Sequence, residues 1–144
     1  MSQTLLVAVD GSEGAQRALD HAVELAKASQ ATILVAHIIE WSPYSFLSQD
    51  EIAQRHKRRQ EELSRAEEHL ITPVTEKLAQ QGIQAKGIIQ YGNIAKSLCK
   101  IATDEQANQI IIGRTGDDSF TDRLFGTVPG ALVQVSPVPV TVVP

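Results

Sequence analysis

The sequence predicts a doubly wound α/β domain, a parallel five-stranded sheet with helices on both faces. Three observations predict it. Short apolar runs alternate strictly with helix-patterned segments along all 144 residues. The runs are continuously apolar, the pattern of parallel strands buried on both sides. Hydrophobic residues make up 42% of the chain but aromatics only 4%, so Ala, Val, Ile and Leu must fill the interior. At this length a single domain over residues 1–144 is expected.

Leu5-Leu6-Val7-Ala8-Val9 reads as the first strand, ending at Asp10-Gly11-Ser12. Ser12 is a helix N-cap. Ala15, Ala18, Leu19, Ala22, Val23 and Ala26 follow at helical spacing, and their small size lets the helix lie close to a sheet. Thr32 to Ile39 is the second strand, followed by the polar and aromatic segment Glu40 to Phe46. From Ser48 to Gln81 the chain is charged, with Leu63, Ala66, Leu70, Val74 and Leu78 on one stripe. One amphipathic helix is expected there, kinked or broken by Pro73 near Ile71-Thr72 and stopped at Gln81-Gly82.

Gln84 to Gln90 is the third strand, weakened by Gly87. Tyr91-Gly92-Asn93 reads as a turn and helix start, with Ile94, Ala95, Leu98, Cys99, Ile101 and Ala102 as the next apolar face. Gln109 to Ile112 is the fourth strand. Thr127 caps a last short helix that tolerates Pro129 in its first turn. Val138 to Val143, flanked by Pro137 and Pro144, is the fifth strand.

The formal net charge of −4 and a pI near 5.5 argue against nucleic acid or an anionic membrane as the main partner. Cys99 stands alone and cannot close an internal disulfide. Met1-Ser2-Gln3-Thr4 does not open a signal sequence, and no apolar run reaches the ~18–20 residues of a membrane span. A soluble cytoplasmic protein without membrane insertion is the expectation.

The chemistry concentrates after the fourth strand. Ile110-Ile111-Ile112 opens into Gly113-Arg114-Thr115-Gly116, and nine residues later Gly126-Thr127 precedes a helix. Backbone N–H groups that converge in such a bend, aided by the helix dipole, hold phosphate. Each glycine alone could serve only a turn; the set in one loop with a hydroxyl at a helix start points to an anion. Asp10 has two readings, closing a turn or accepting ribose hydroxyls and helping to hold Mg²⁺. His37 reads as a packed, hydrogen-bonded histidine, and Cys99 as core. The run Arg55-His56-Lys57-Arg58-Arg59, followed by Glu61-Glu62, reads as a solvated helix face.

These residues carry a resemblance. Glycine, two residues, glycine, nine residues, glycine and then Ser or Thr is the pattern of the ATP-binding branch of the universal stress protein family. Gly113, Gly116, Gly126 and Thr127 match every position. Val7-Ala8-Val9-Asp10-Gly11-Ser12, Val35-Ala36-His37-Ile38, Tyr91-Gly92-Asn93-Ile94-Ala95 and Pro137-Val138-Pro139-Val140 resemble the family in the same order. The resemblance implies a Rossmann-like sheet of order 3-2-1-4-5 with ATP between the first and fourth strands. It implies Asp10 at the ribose or metal, and the Ile38 backbone at adenine. It implies Gly113, Gly116, Gly126, Thr127 and Val128 around the phosphates. It also implies a homodimer through the last strand, with a tetramer as a further option. One departure is the acidic loop: Asp117, Asp118 and Asp122 against Arg114 and Arg123 leave it net −1. Solvated carboxylates near a triphosphate would repel it by about 1 kcal/mol each, a sign that Mg²⁺ would reverse.

Three functions compete. An ATP-binding regulatory module would signal to a partner protein through nucleotide-dependent conformation or assembly. A slow Mg²⁺-dependent ATP hydrolase would need a positioned charge and an oriented nucleophile. The chain has no GxxxxGK[ST] lysine and no evident base beside the glycine loop, so at most weak ATPase activity is expected and no residue is assigned as catalytic. A nucleotide-free dimeric scaffold is the third. A phosphorelay receiver would want an aspartate after the third strand, where Gln90-Tyr91 stands.

Overall fold

The computed structural model describes residues 3–40, 49–115 and 128–144. Strands β1 (Thr4–Ala8), β2 (Thr32–Glu40), β3 (Ala85–Gly92), β4 (Gln109–Gly113) and β5 (Val140–Val143) form one sheet of order β3-β2-β1-β4-β5. Every pairing is parallel. The expected strand order is the observed one, and β1 lies where the winding reverses.

Helix α1 (Glu13–Ser29) starts where Ser12 Oγ accepts the Ala15 N–H at 3.1 Å. Its buried stripe of Gly14, Ala15, Ala18, Leu19, Ala22 and Ala26 covers one face of the sheet. With Leu5, Val7, Val9, Ile33, Val35 and Ile111 this stripe makes one core layer, completed by Ile71 and Leu78. Leu6, Leu34, Ala36, Ile38, Ile110 and Ile112 point the other way. There they meet α4 (Ile94–Asp104), through Leu98 and Ile101, and α5 (Val128–Val135), through Leu132. Strand alternation thus feeds two layers, as a doubly wound sheet requires. Full burial of each Leu or Ile contributes about 1.5–3 kcal/mol.

The long charged segment is irregular just before Pro73, with an element boundary at the expected Ile71-Thr72 position. Helix α2 (Gln49–Ala66) passes through a π-helical turn, Glu67–Ile71, into α3 (Thr72–Gln80) without leaving helical backbone angles. The Thr72 N–H reaches back to the Glu67 carbonyl, a five-residue span. Proline lacks an N–H and crowds the carbonyl four residues before it, so the irregularity falls on the preceding turn rather than at a break. That turn seats Ile71 on the sheet over Gly87, where any Cβ would strike the Ile71 side chain. Gly87 therefore makes room for the helix, within a strand that runs from Ala85 to Gly92.

Two further boundaries differ. Tyr91-Gly92 continues β3, paired with Ile39 and Glu40, and the helix start is Asn93 alone, whose Oδ1 accepts the Lys96 N–H at 3.0 Å. Strand β5 begins at Val140, because Pro139 has no donor for the first rung, although its carbonyl accepts the Ile110 N–H at 2.9 Å.

Candidate functional site

The candidate site is the gap that opens where β1 stops and its neighbours run on. The β1–β2 pairing ends at Ala8–Ala36 and the β1–β4 pairing at Val7–Ile111. Continuing those registers sets Asp10 level with Ile38 on one side and Val9 level with Gly113 on the other. Sheets of this type bind ligands in such a crevice, beyond the carboxyl ends of the strands.

Asp10 follows the strand and its Oδ1 accepts both the Ser12 N–H, at 3.0 Å, and the Ser12 hydroxyl, at 2.5 Å. The carboxylate thereby closes the turn through Gly11, whose φ of 83° suits glycine, and holds the Ser12 cap in place. Its turn-closing reading is realised, and the same contacts fix the carboxylate at the mouth of the crevice.

Ile38 is buried, and its side chain belongs to the α4 layer. Its backbone is the relevant part. Ala36 accepts the Val9 N–H at 2.8 Å, so Ala36 points its main-chain groups toward β1. Two residues on, Ile38 aims its N–H and C=O the same way, past the last β1–β2 pair.

Gly113 ends β4 and is buried. A Cβ there would lie 2.5 Å from the Gly14 carbonyl oxygen. Gly14 is closed in turn, since its Cβ would fall on the Thr115 carbonyl. The two glycines thus let the first turn of α1 press against the end of β4, which brings Asp10 and the start of the glycine loop together. Sequence reasoning missed Gly14; a second glycine in the first turn of a helix, four residues after Asp10, was the available signal. Val128 is the first residue of α5 and packs against the layer holding Leu132. Gly116, Gly126 and Thr127 lie outside the described residues, as do the loop aspartates.

His37 is hydrogen-bonded as expected, its Nδ1 2.8 Å from the Val9 carbonyl. Beside the Asp10 turn lies a cleft of about 270 Å³ whose walls are Val9, Gly11, Ser12, Glu13, Ala15, Gln16 and Leu19, with Leu70 and Val74 opposite. A larger hollow of about 470 Å³ lies among outward side chains of α2 and the π-helical turn, from Lys57 to His69; no strand contributes to it. Among the described residues no three His, Cys, Asp or Glu side chains gather as metal ligands.

The basic run is less solvated than expected. Arg59 is half-buried, its guanidinium 5.3 Å from the centre of the Tyr91 ring. The Tyr91 hydroxyl donates to the Arg59 carbonyl at 2.7 Å. Burial, and then the Glu62 carboxylate, push the Tyr91 phenol above its ordinary range. Cys99 packs against the α4 layer, and burial pushes its thiol up. No helix among the described residues is long and apolar enough to cross a membrane.

The model of the universal stress protein family matches residues 1–144. Universal stress protein YxiE of Bacillus subtilis is 31% identical over 156 residues, spanning 99% of each chain. Among solved structures, universal stress protein UspA from Lactobacillus plantarum superposes with a TM-score of 0.84 at 24% identity, over 99% of this chain and 97% of that one. A universal stress protein in complex with cAMP gives a TM-score of 0.67 at 22% identity, over 99% and 96%. The Archaeoglobus fulgidus universal stress protein in complex with dAMP gives 0.65 at 18%, over 100% and 98%. The sheet order, the full-length match and the ordered motifs agree: this chain belongs to the universal stress protein family.

Proposed function

We propose that the protein is an adenine-nucleotide-binding regulatory module, with ATP as its ligand, that acts on a partner protein through nucleotide-dependent conformation or assembly. The observation that carries this reading is the crevice at the winding reversal. There Asp10 stands level with the Ile38 backbone and Val9 level with Gly113, and the glycine loop departs from the β4 side. A site of that shape suits a base and ribose near β1 and β2 and phosphates beyond β4. That solved relatives were obtained with cAMP and dAMP supports an adenine nucleotide as the class. In this reading Gly113, Gly116, Gly126, Thr127 and Val128 surround the phosphates.

Mg²⁺ would arrive with the triphosphate. One carboxylate together with phosphate oxygens is a donor set that Mg²⁺ uses, and Asp10 supplies the carboxylate. The metal would neutralise phosphate charge beside the acidic loop. Asp10 is already committed to the Ser12 turn, which suits holding a ligand in place better than moving a proton.

Calorimetry with ATP tests the reading. Wild-type protein is expected to bind, and Gly116→Val to lose at least tenfold in affinity with its circular dichroism spectrum retained, because a side chain there would block backbone approach. Unchanged affinity in the variant overturns the phosphate assignment. Phosphate release that saturates with ATP and needs Mg²⁺ would favour the hydrolase; absence of any bound nucleotide, in calorimetry and in mass spectrometry of the purified protein, would favour the scaffold.

A further inference from the structure

We infer that His37 is a positioning residue that keeps the Ile38 N–H available to read an adenine ring. The inference rests on the nucleotide reading above and adds how the base is told apart. In a regular parallel ladder, Val9 would make two bonds to β2: its N–H to the Ala36 carbonyl, and its carbonyl to the Ile38 N–H. The first is present at 2.8 Å. The second is not made, and the β1–β2 register stops one pair earlier, at Ala8–Ala36. The Val9 carbonyl faces the His37 ring instead, 2.8 Å from Nδ1. A carbonyl only accepts, so Nδ1 carries the proton and donates.

The imidazole thus takes the acceptor that the Ile38 amide would otherwise use. It satisfies the end of β1 from a side chain and lets the strand leave the sheet at Val9 rather than zip one rung further. The Ile38 N–H and C=O are left aimed along the sheet plane into the crevice, level with Asp10. A donor beside an acceptor on one edge is the complement of adenine, whose ring N1 accepts and whose amino group donates. Hypoxanthine, with a proton on N1 and an oxygen in place of the amino group, presents the reverse. A site that hydrogen-bonds a base this way rejects the mismatched base strongly, because a buried polar group would lose its partner.

Two measurements test this, and they fail separately. Amide hydrogen exchange on the ligand-free protein reads the Ile38 N–H itself. Wild type is expected to leave it exchanging freely, and His37→Leu to protect it at least tenfold as the missing rung forms. Equal protection of that amide in both proteins overturns the inference. Calorimetry then compares ATP with inosine triphosphate. Wild type is expected to prefer ATP at least tenfold. His37→Leu should lose that preference through weaker ATP binding with inosine triphosphate unmoved, and His37→Asn, whose amide can donate from the Nδ1 position, should restore it. His37→Gln carries its amide at the Nε2 position and should behave as the leucine variant does, so it replaces that variant should it not fold. An unaltered ATP preference in His37→Leu or His37→Gln overturns the inference while leaving nucleotide binding intact. If wild type binds neither nucleotide, the nucleotide reading falls, and base reading by Ile38 falls with it.

Discussion

Single residues fix how closely α1 approaches β4, and two substitutions test that. Gly14→Ala would drive a methyl group onto the Thr115 carbonyl, a contact that only a shift of backbone can relieve. It is expected to destabilise the protein by about 1–3 kcal/mol in urea unfolding, as overpacking does. Gly82, at φ 78° with open space around it, serves as the control for backbone strain alone. Ser12→Ala removes the cap that receives the Ala15 N–H and the hydroxyl that Asp10 holds. A loss of about 1 kcal/mol is expected from the cap, read in the same assay. ATP affinity should fall with it, because the Asp10 carboxylate loses one of its two Ser12 contacts. The Asp10 turn and the Ser12 cap were legible in the sequence because turn and cap chemistry is local. Gly14 and the His37 contact were not, because both depend on which strand lies opposite.

At the scale of elements, α2 shows what periodicity does and does not reveal. The stripe through Leu70, Val74 and Leu78 packs as its spacing predicts, yet α2 itself buries no residue. The Tyr91 clasp supplies a hold instead: its hydroxyl bonds the Arg59 carbonyl, and its ring receives the Arg59 guanidinium. Sequence reasoning assigned Tyr91 to a turn and Arg59 to solvent, since neither local signal reveals a partner 32 residues away. Tyr91→Phe keeps the ring and removes the donor, and is expected to lower stability by about 0.5–1.5 kcal/mol. Hydrogen exchange should quicken in α2 before any other element. The phenol is pushed above its ordinary pKa, so the folded state favours the neutral form. Its contribution is therefore complete below about pH 10, the unfolded value, and is lost as pH rises through the folded one. Unfolding curves of wild type and Tyr91→Phe should converge above pH 10; a constant gap across that range would show that the donor has no part in it.

At the scale of the whole molecule the sheet has two edge strands, β3 and β5, and among the described residues no strand pairs with the outer side of β5. Pro139 and Val143 turn their carbonyls to β4, accepting from Ile110 and Arg114 at 2.9 and 2.7 Å. Alternation then points the main-chain groups of Val140 and Val142 outward. Pro139 has the inward parity, so its missing donor faces β4 and the outer edge of β5 keeps its own. Edges meant to stay single are blunted by proline or charge; this one presents an exposed Val142, and α5 adds the exposed Val133 and Val135 to the surface. We propose that a second copy pairs here, the homodimer that the family resemblance implies. The sequence showed an apolar last strand, but only the register with β4 reveals which N–H groups are free to pair. The two directions can be separated experimentally. Val142→Pro removes an outward donor and leaves the β4 ladder alone, so sedimentation should show monomer with stability per chain nearly kept. Thr141→Pro removes an inward donor and should weaken the fold itself by about 3 kcal/mol or more. A dimer that survives Val142→Pro would place the contact elsewhere on the surface, and the outward valines would then need another partner.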